Sequence, residues 1–141
     1  MKVVLVNPYE LGRQPFGLAE PAAWLNAAGC DVHCCDLSLQ KLEAPVFENA
    51  GLVAIYVAMH TATRIALEAL PKIQVLAPRA ELCIYGLYAP MNADLFRALG
   101  VQYVFGGEFE PGLAALAKRL MNGEPGDRGR ARPGDRDRRP L

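Results

Sequence analysis

The residues best suited to chemistry in this sequence stand directly after short apolar runs. They are Asn7, Pro8, His60, Thr61, Gly86, Leu87, Tyr88, Gly106, Gly107 and Glu108. His60 is able to ligate a metal or to transfer a proton, and Thr61 offers a hydroxyl at a predicted helix start, where a polar or anionic group can bind. Gly106 and Gly107 lack side chains, so a flat ligand can lie close to the backbone there. These residue types predict a binding site for a small ligand.

Several familiar kinds of site are excluded because their motifs are missing from the sequence. Neither a G-x-G-x-x-G phosphate loop nor a Walker-type lysine follows the first apolar run, which argues against nucleotide binding of those kinds. A serine nucleophile elbow and a Cys/His pair at motif spacing are absent as well. No second histidine or carboxylate stands at metal-ligand spacing from His60. The sequence therefore predicts no metal site at that histidine.

The four cysteines, Cys30, Cys34, Cys35 and Cys83, show neither Cys-x-x-Cys nor Cys-x-x-x-Cys-x-x-Cys spacing. A zinc or iron–sulfur site is therefore not expected. We expect the thiols to be small buried hydrophobic groups in a reducing cytosol. Because side chains alternate along a strand, Cys34 and Cys35 should point to opposite faces of a sheet.

Short β-rich runs alternate with longer helical patterns, which predicts a parallel sheet covered by helices. The predicted strands are Lys2–Val6, Asp31–Cys35, Leu52–Val57, Glu81–Tyr85 and Val101–Phe105. The predicted helices are Gly17–Ala28, Thr61–Leu76, Asn92–Leu99 and Pro111–Met121, with Thr61 as the cap of the second. Pro71 should bend or divide that second helix.

The order of these strands in the sheet follows from the handedness of their connections. Right-handed crossovers allow few arrangements, and the most economical is the flavodoxin-like, doubly wound order 2-1-3-4-5 in three α/β/α layers. Strands 1, 3 and 4 are the most apolar and should lie at the centre. In such a sheet, ligands bind outside the carboxyl ends of the strands, beside the switch point between strands 1 and 3. The long loop Asn7–Gly17 is expected to take part.

Composition divides the chain into a domain, residues 1–121, and a tail, residues 122–141. The sequence from Asn122 to Pro140 has no large apolar residue, so we expect a disordered tail that is either a linker or polyanion-binding arm, or a truncated end. The whole chain has 15 Lys and Arg against 15 Asp and Glu, and its slightly acidic domain argues against nucleic acid as a partner. Without a signal peptide or a bilayer-length apolar run, a cytoplasmic protein with no membrane contact is expected.

Four segments of the domain resemble the cobalamin-binding domain at the amino end of many radical S-adenosylmethionine enzymes. They are Lys2–Pro8, Met59–Glu68, Tyr85–Pro90 and Gly106–Glu110. The last resembles the family's Gly-Glu-Gly-Glu element, with Phe109 in place of a glycine. The resemblance implies a corrin ring held against these loops, with its nucleotide tail on the sheet side. The residues implied to lie near the ring are Asn7, Thr61, Gly86, Gly106, Gly107 and Glu108, with Pro8, His60, Leu87 and Tyr88 in the same loops.

Two departures from that pattern limit what the chain is expected to do alone. Methionine-synthase-like domains ligate cobalt through a histidine in an Asp-x-His-x-x-Gly motif, but the matching loop here reads Asn7-Pro-Tyr-Glu-Leu-Gly12. His60 stands in a different loop and does not inherit that role. The cysteine triplet that holds an iron–sulfur cluster for radical chemistry is also missing. We therefore expect a cobalamin-binding module that is non-catalytic by itself. It is either the detached or truncated amino domain of a radical S-adenosylmethionine enzyme, with that catalytic domain as its partner, or a free-standing module.

Two other interpretations remain open. A receiver-like or degenerate flavodoxin-like interaction domain shares the strand order, although Asn7, His60 and Gly106 stand near positions where a receiver needs acidic residues, an acceptor aspartate and a lysine. Bulk at Leu87 and Tyr88 would suit such a domain, without a corrin pocket. A small enzyme that uses His60 and Glu108 as acid and base is the third interpretation.

Overall fold

A computed structural model describes residues 1–8, 16–37 and 41–123 of the chain. Its strands are β1 (Lys2–Asn7), β2 (Asp31–Asp36), β3 (Ala50–Tyr56), β4 (Glu81–Tyr85) and β5 (Tyr103–Phe105). Its helices are α1 (Phe16–Ala27), α2 (Ala44–Phe47), α3 (His60–Leu76), α4 (Ala93–Ala98) and α5 (Glu110–Met121), and a 3₁₀ turn, Pro90–Asn92, leads into α4. The predicted tail and most of the first loop lie outside the described residues.

The five strands form one sheet in the order β2-β1-β3-β4-β5, and each neighbouring pair is parallel. This arrangement confirms the predicted flavodoxin-like, doubly wound topology. β1 is flanked by a strand on both sides, and its residues Val3 to Val6 are fully buried. A strand that is covered on both faces must be apolar at every position, which explains the unbroken aliphatic run in the sequence.

Alternate residues of each strand pack against two separate helix layers. Val3 and Leu5 face α1 and α5, where Leu25 and Leu113 are fully buried. On the other face, Val4 packs in a second cluster with residues of α2, α3 and α4. The two clusters give the three α/β/α layers that the alternation of elements predicts.

The structure corrects the sequence prediction for two elements, α3 and β5. α3 begins at His60 with Met59 as its cap, so Thr61 lies inside the first turn instead of capping the helix. The same helix continues undivided through Pro71. β5 begins two residues later than predicted, at Tyr103. Just before it, the backbone N–H of Gln102 donates to the Leu82 carbonyl at 3.0 Å, and the side-chain oxygen of Gln102 accepts from the Leu82 N–H at 2.7 Å. Gln102 thus pairs with Leu82 through its backbone and its side chain together.

One helix was missing from the sequence prediction. α2 is a single turn, Ala44–Phe47, that begins with proline at its first positions. Its stability comes from Phe47, which is fully buried in the cluster beneath α3. A four-residue helix carries too little periodicity to be read from a sequence, since tertiary burial and not local pattern forms it.

The cysteines follow the prediction except at one position. Cys30, Cys35 and Cys83 are buried, whereas Cys34 is exposed. The two neighbours Cys34 and Cys35 point to opposite faces of β2, as predicted. Cys34 is exposed because β2 is an edge strand whose helix layer does not cover it fully. Burial raises the pKa of the Cys83 thiol well above its usual value, and burial with the nearby Asp36 carboxylate raises the pKa of Cys35 to about 11.

These raised pKa values predict a loss of stability at alkaline pH. In the unfolded chain the thiols lose their protons near pH 9, while Cys35 keeps its proton to about pH 11 in the folded domain. The folded state then binds more protons, so the free energy of unfolding falls between these pH values, by roughly 1 kcal/mol per pH unit. Urea denaturation from pH 8.5 to 11 measures the slope, and Cys35→Ala should flatten it. Equal slopes in both proteins would contradict the prediction.

None of the helices in the described parts of the chain is long and apolar enough to cross a membrane. The same residues hold no group of three or more His, Cys, Asp or Glu side chains that would bind a metal ion.

Candidate functional site

The predicted site residues come together at the carboxyl edge of the sheet. All five strands are parallel, so the residues that follow them emerge at one edge. Asn7 ends β1, His60 and Thr61 begin α3 after β3, Gly86 follows β4, and Gly106 follows β5. The crossover from β1 leads to α1 on one face of the sheet, and the crossover from β3 leads to α3 on the other. The switch point, where open sheets of this kind bind ligands, therefore lies between these two strands, and Asn7 ends one of them.

Asn7 is the most unusual polar residue of this edge. Only 1% of its surface is exposed to solvent. Its Nδ2 donates a hydrogen bond to Oδ1 of Asp36, at 3.3 Å, and its backbone carbonyl accepts one from the Leu37 N–H. Because the Asp36 carboxylate accepts hydrogen bonds, this contact fixes which way the amide points.

The side-chain oxygen of Asn7, Oδ1, is buried and accepts no hydrogen bond from the described residues. A buried acceptor without a donor costs about 1–3 kcal/mol. Among the described residues, this oxygen is thus a buried acceptor left without a donor at the switch point of the sheet. Sequence reasoning identified Asn7, although burial and the missing donor appear only in three dimensions.

Gly86 is required by packing within the edge. Its φ is +118°, and a Cβ atom there would lie 2.7 Å from the carbonyl oxygen of Val57. The same oxygen accepts a hydrogen bond from the Tyr88 N–H, at 3.0 Å. The β4–α4 connection therefore crosses directly over the end of β3. The absent side chain at Gly86 makes room for this crossing, and the space is not open to a ligand.

Beyond Gly86 the same connection presents apolar side chains to solvent. Leu87 is 71% exposed and Met91 is 73% exposed. Tyr88, between them, is half-buried and packs against the α3 cluster, and its carbonyl accepts a hydrogen bond from Nδ2 of Asn92 at 2.8 Å. Met91 was missed by sequence reasoning, although its four-residue spacing from Leu87 on a helical turn was a usable signal.

The glycines after β5 have different surroundings. A Cβ atom on Gly106 would approach Cγ of Pro90 to 3.2 Å, whereas nothing lies within 4 Å of one on Gly107. Gly107 and Glu108 are exposed, while Pro8, next to Asn7, is buried. Gly107 is thus the position where the backbone of this edge is open to a flat ligand.

His60 and Thr61 occupy the first turn of α3. His60 is exposed and Thr61 is half-buried. The hydroxyl that bonds to the backbone in this turn belongs to Thr63, whose Oγ1 donates to the carbonyl of Met59 at 3.2 Å. Within the described residues, no hydrogen bond or ion pair joins the side chains of His60 and Glu108.

Three aromatic rings fill the edge on the α1–α5 side. The ring centroids of Tyr85 and Phe109 are 4.7 Å apart, those of Tyr56 and Tyr85 are 5.3 Å apart, and those of Tyr56 and Phe109 are 6.0 Å apart. The Tyr85 hydroxyl donates a buried hydrogen bond of 2.6 Å to the carbonyl of Gly17. A Cβ atom at Gly17 would overlap the Tyr56 ring. The start of α1 therefore rests directly on this aromatic cluster.

Comparison with known proteins supports the fold. No model of a known protein family matches the chain, and no curated protein sequence matches it. Among solved structures, a flavodoxin from the domain Archaea superimposes with a TM-score of 0.58 at 10% identity, over 87% of this chain and 98% of that chain. Identity this low shows a shared fold alone. The chain is thus a flavodoxin-like α/β domain.

Proposed function

We propose that this domain binds a corrinoid, cobalamin or a relative of it, at the carboxyl edge of its sheet. The observation that carries the proposal is the buried Oδ1 of Asn7, which lacks a donor among the described residues. A corrin ring is edged with amide side chains, whose N–H groups are donors of the kind that this oxygen needs. Each of the four sequence segments that resemble cobalamin-binding domains includes residues at the same edge.

Other residues at the same edge of the sheet support the proposal. Leu87 and Met91 offer an exposed apolar rim, and Gly107 leaves the backbone open beside it. A ligand site of this kind combines apolar contact area with a few directed polar groups. On this proposal Asn7 orients the ring through one hydrogen bond, while Leu87 and Met91 remove its faces from water.

The nucleotide tail of cobalamin does not fit between the sheet and the α1–α5 layer without a rearrangement of the aromatic cluster. On the α1–α5 side of the sheet, Tyr56, Tyr85 and Phe109 are in mutual contact, and Tyr85 is fully buried. A base entering between the sheet and these helices would have to displace one of the rings. We therefore propose that the ring alone provides the affinity and that the tail stays outside this layer.

A corrinoid supplies a cobalt centre for radical chemistry when it is bound. The cysteines of this chain do not have the spacing of an iron–sulfur site. We therefore propose that the partner of this module is a separate radical S-adenosylmethionine catalytic domain.

Titration with hydroxocobalamin and with cobinamide, which lacks the nucleotide tail, tests the proposal. We expect both to bind, with dissociation constants within about threefold of each other, because on this proposal the tail contributes little to binding. A tenfold difference would require about 1.4 kcal/mol of interaction with the tail. Ultraviolet-visible spectra and equilibrium dialysis measure binding. Retention of neither compound at micromolar protein would refute corrinoid binding. Much tighter binding of hydroxocobalamin than of cobinamide would refute the proposal that the nucleotide tail stays outside the helix layer.

Replacing Asn7 separates binding from stability. Asn7→Leu removes the buried acceptor together with its weak bond to Asp36. We expect the free energy of unfolding without ligand to stay within about 1 kcal/mol or to rise, since the unpaired acceptor is lost. Corrinoid affinity should fall about tenfold or more, because the donor on the ring loses its partner. A large loss of stability with unchanged affinity would show that Asn7 has a purely structural role.

A matched pair of surface variants tests the apolar rim. Met91→Ala removes a side chain that is 73% exposed at the carboxyl edge, and Val75→Ala removes one that is 77% exposed in the last turn of α3, at the opposite edge. Met91→Ala should weaken corrinoid binding about three- to tenfold, and Val75→Ala should leave it unchanged. Equal effects of the two variants would place the ligand elsewhere.

A further inference from the structure

The outer surface of the α1–α5 layer carries a groove of about 510 Å³. It is lined by Ala23, Trp24 and Ala27 of α1 and by Ala114, Ala115 and Lys118 of α5. Trp24 is the single tryptophan of the chain and is 48% exposed. Tryptophan is enriched at the centres of protein interfaces, where its large apolar surface is buried away from solvent. This groove belongs to the outside of the helix layer and not to the proposed corrinoid site.

Two opposite charges stand at diagonal corners of the groove. α1 and α5 both follow strands of the parallel sheet, so they run in the same direction from its carboxyl edge. Glu20 is exposed one turn before Trp24 on α1, toward the carboxyl edge. Lys118 is exposed one turn after Ala114 on α5, toward the amino edge. The face is therefore negative at one corner, positive at the other, and apolar between them.

We propose that this face binds a second copy of the chain. A twofold axis that lies in the plane of the face and passes through the groove exchanges the two corners. Glu20 of each copy then meets Lys118 of the other, while the two Trp24 side chains lie near the axis. Such self-complementarity is what an isologous dimer requires. The helices of the two copies cross at a steep angle in this arrangement.

The size of the face determines the expected strength of the dimer. A 12-residue helix is about 18 Å long, and two such helices lie about 10 Å apart. A patch of these dimensions is smaller than the roughly 800 Å² per partner of a standard stable interface. The dimer is therefore weak, and its dissociation constant lies in roughly the micromolar range or above.

Sedimentation velocity of the full chain, from roughly 1 to 500 µM, tests for the dimer. We expect the dimer fraction to rise over this range. The emission of Trp24 should shift to shorter wavelength in parallel, because dimerisation removes the indole from water. A monomer at every concentration would overturn the proposal, as would a dimer that forms without any change in Trp24 emission.

Charge-reversal variants test the pairing. Glu20→Lys and Lys118→Glu should each raise the dissociation constant about five- to tenfold, because two attractive pairs per dimer become repulsive. The double variant restores opposite charges and should return to within about twofold of the original value. Trp24→Ala should abolish the dimer, and Val75→Ala, on α3, should have no effect. A dimer that persists in Trp24→Ala, or a double variant weaker than both single variants, would overturn this interface.

Discussion

Gly86→Ala should lower the free energy of unfolding by roughly 3 kcal/mol, which corresponds to a fall in Tm of about 10 °C or more. Two effects add at this position. Its φ of +118° is a conformation that side chains rarely adopt, and the new Cβ atom would lie 2.7 Å from the backbone oxygen of Val57. That oxygen already accepts the Tyr88 N–H, so relieving the clash also strains a hydrogen bond. Thermal and urea denaturation measure the change.

Gly107→Ala is the matched control for this substitution. Gly107 lies two residues after the end of β5, has open space where a Cβ atom would stand, and has no left-handed φ. We expect its effect on the free energy of unfolding to stay within about 0.5 kcal/mol. If both alanine variants lose the same stability, the crossing of the β4–α4 connection over β3 is not the cause.

Phe109→Ala should lower the free energy of unfolding by roughly 3 kcal/mol. Phe109 is buried and contacts both Tyr56 and Tyr85. Its removal leaves a cavity beneath the starts of α1 and α5. Phe109→Leu retains most of the apolar volume and should cost about 1 kcal/mol. Urea denaturation of the two variants measures this difference, and equal losses would contradict a packing role for the ring.

A double-mutant cycle resolves the contribution of each ring contact. The centroid of Phe109 is 4.7 Å from that of Tyr85 but 6.0 Å from that of Tyr56. Coupling between Phe109→Leu and Tyr85→Leu should therefore reach about 0.5–1.5 kcal/mol and exceed the coupling with Tyr56→Leu. The opposite order would show that the T-shaped contact dominates the cluster.

The sequence predicted the parts of the fold that depend on repeating patterns. The apolar runs of β1, β3 and β4 indicated central parallel strands, and helical spacing indicated α3 and α5. It did not predict α2, because Phe47 holds that turn through long-range burial. It also placed the start of β5 too early, because Gln102 pairs with Leu82 partly through its side-chain oxygen, and such a bond leaves no periodic signal in a sequence.

The sequence predicted where the residues of the candidate site lie better than it predicted what each of them does. Strand ends meet at one edge in any parallel sheet, so the loops that hold Asn7, Gly86 and Gly107 were identified from topology. Their individual roles depend on contacts that a sequence does not contain. Gly86 serves the packing of the edge, Gly107 leaves it open, and Asn7 has a buried oxygen without a described donor. These three roles would look alike in a list of loop residues.

The place of β1 in the sheet also affects how the chain is made. β1 is synthesised first, but its neighbours β2 and β3 begin only at Asp31 and Ala50. Until the ribosome has reached the end of β3, the aliphatic segment from Val3 to Val6 has no complete set of partners. An exposed apolar segment of this kind favours aggregation until folding is complete. Lys2, whose Nζ donates to the carbonyls of Pro45 and Glu48 after folding, acts before folding as a gatekeeper charge beside this segment.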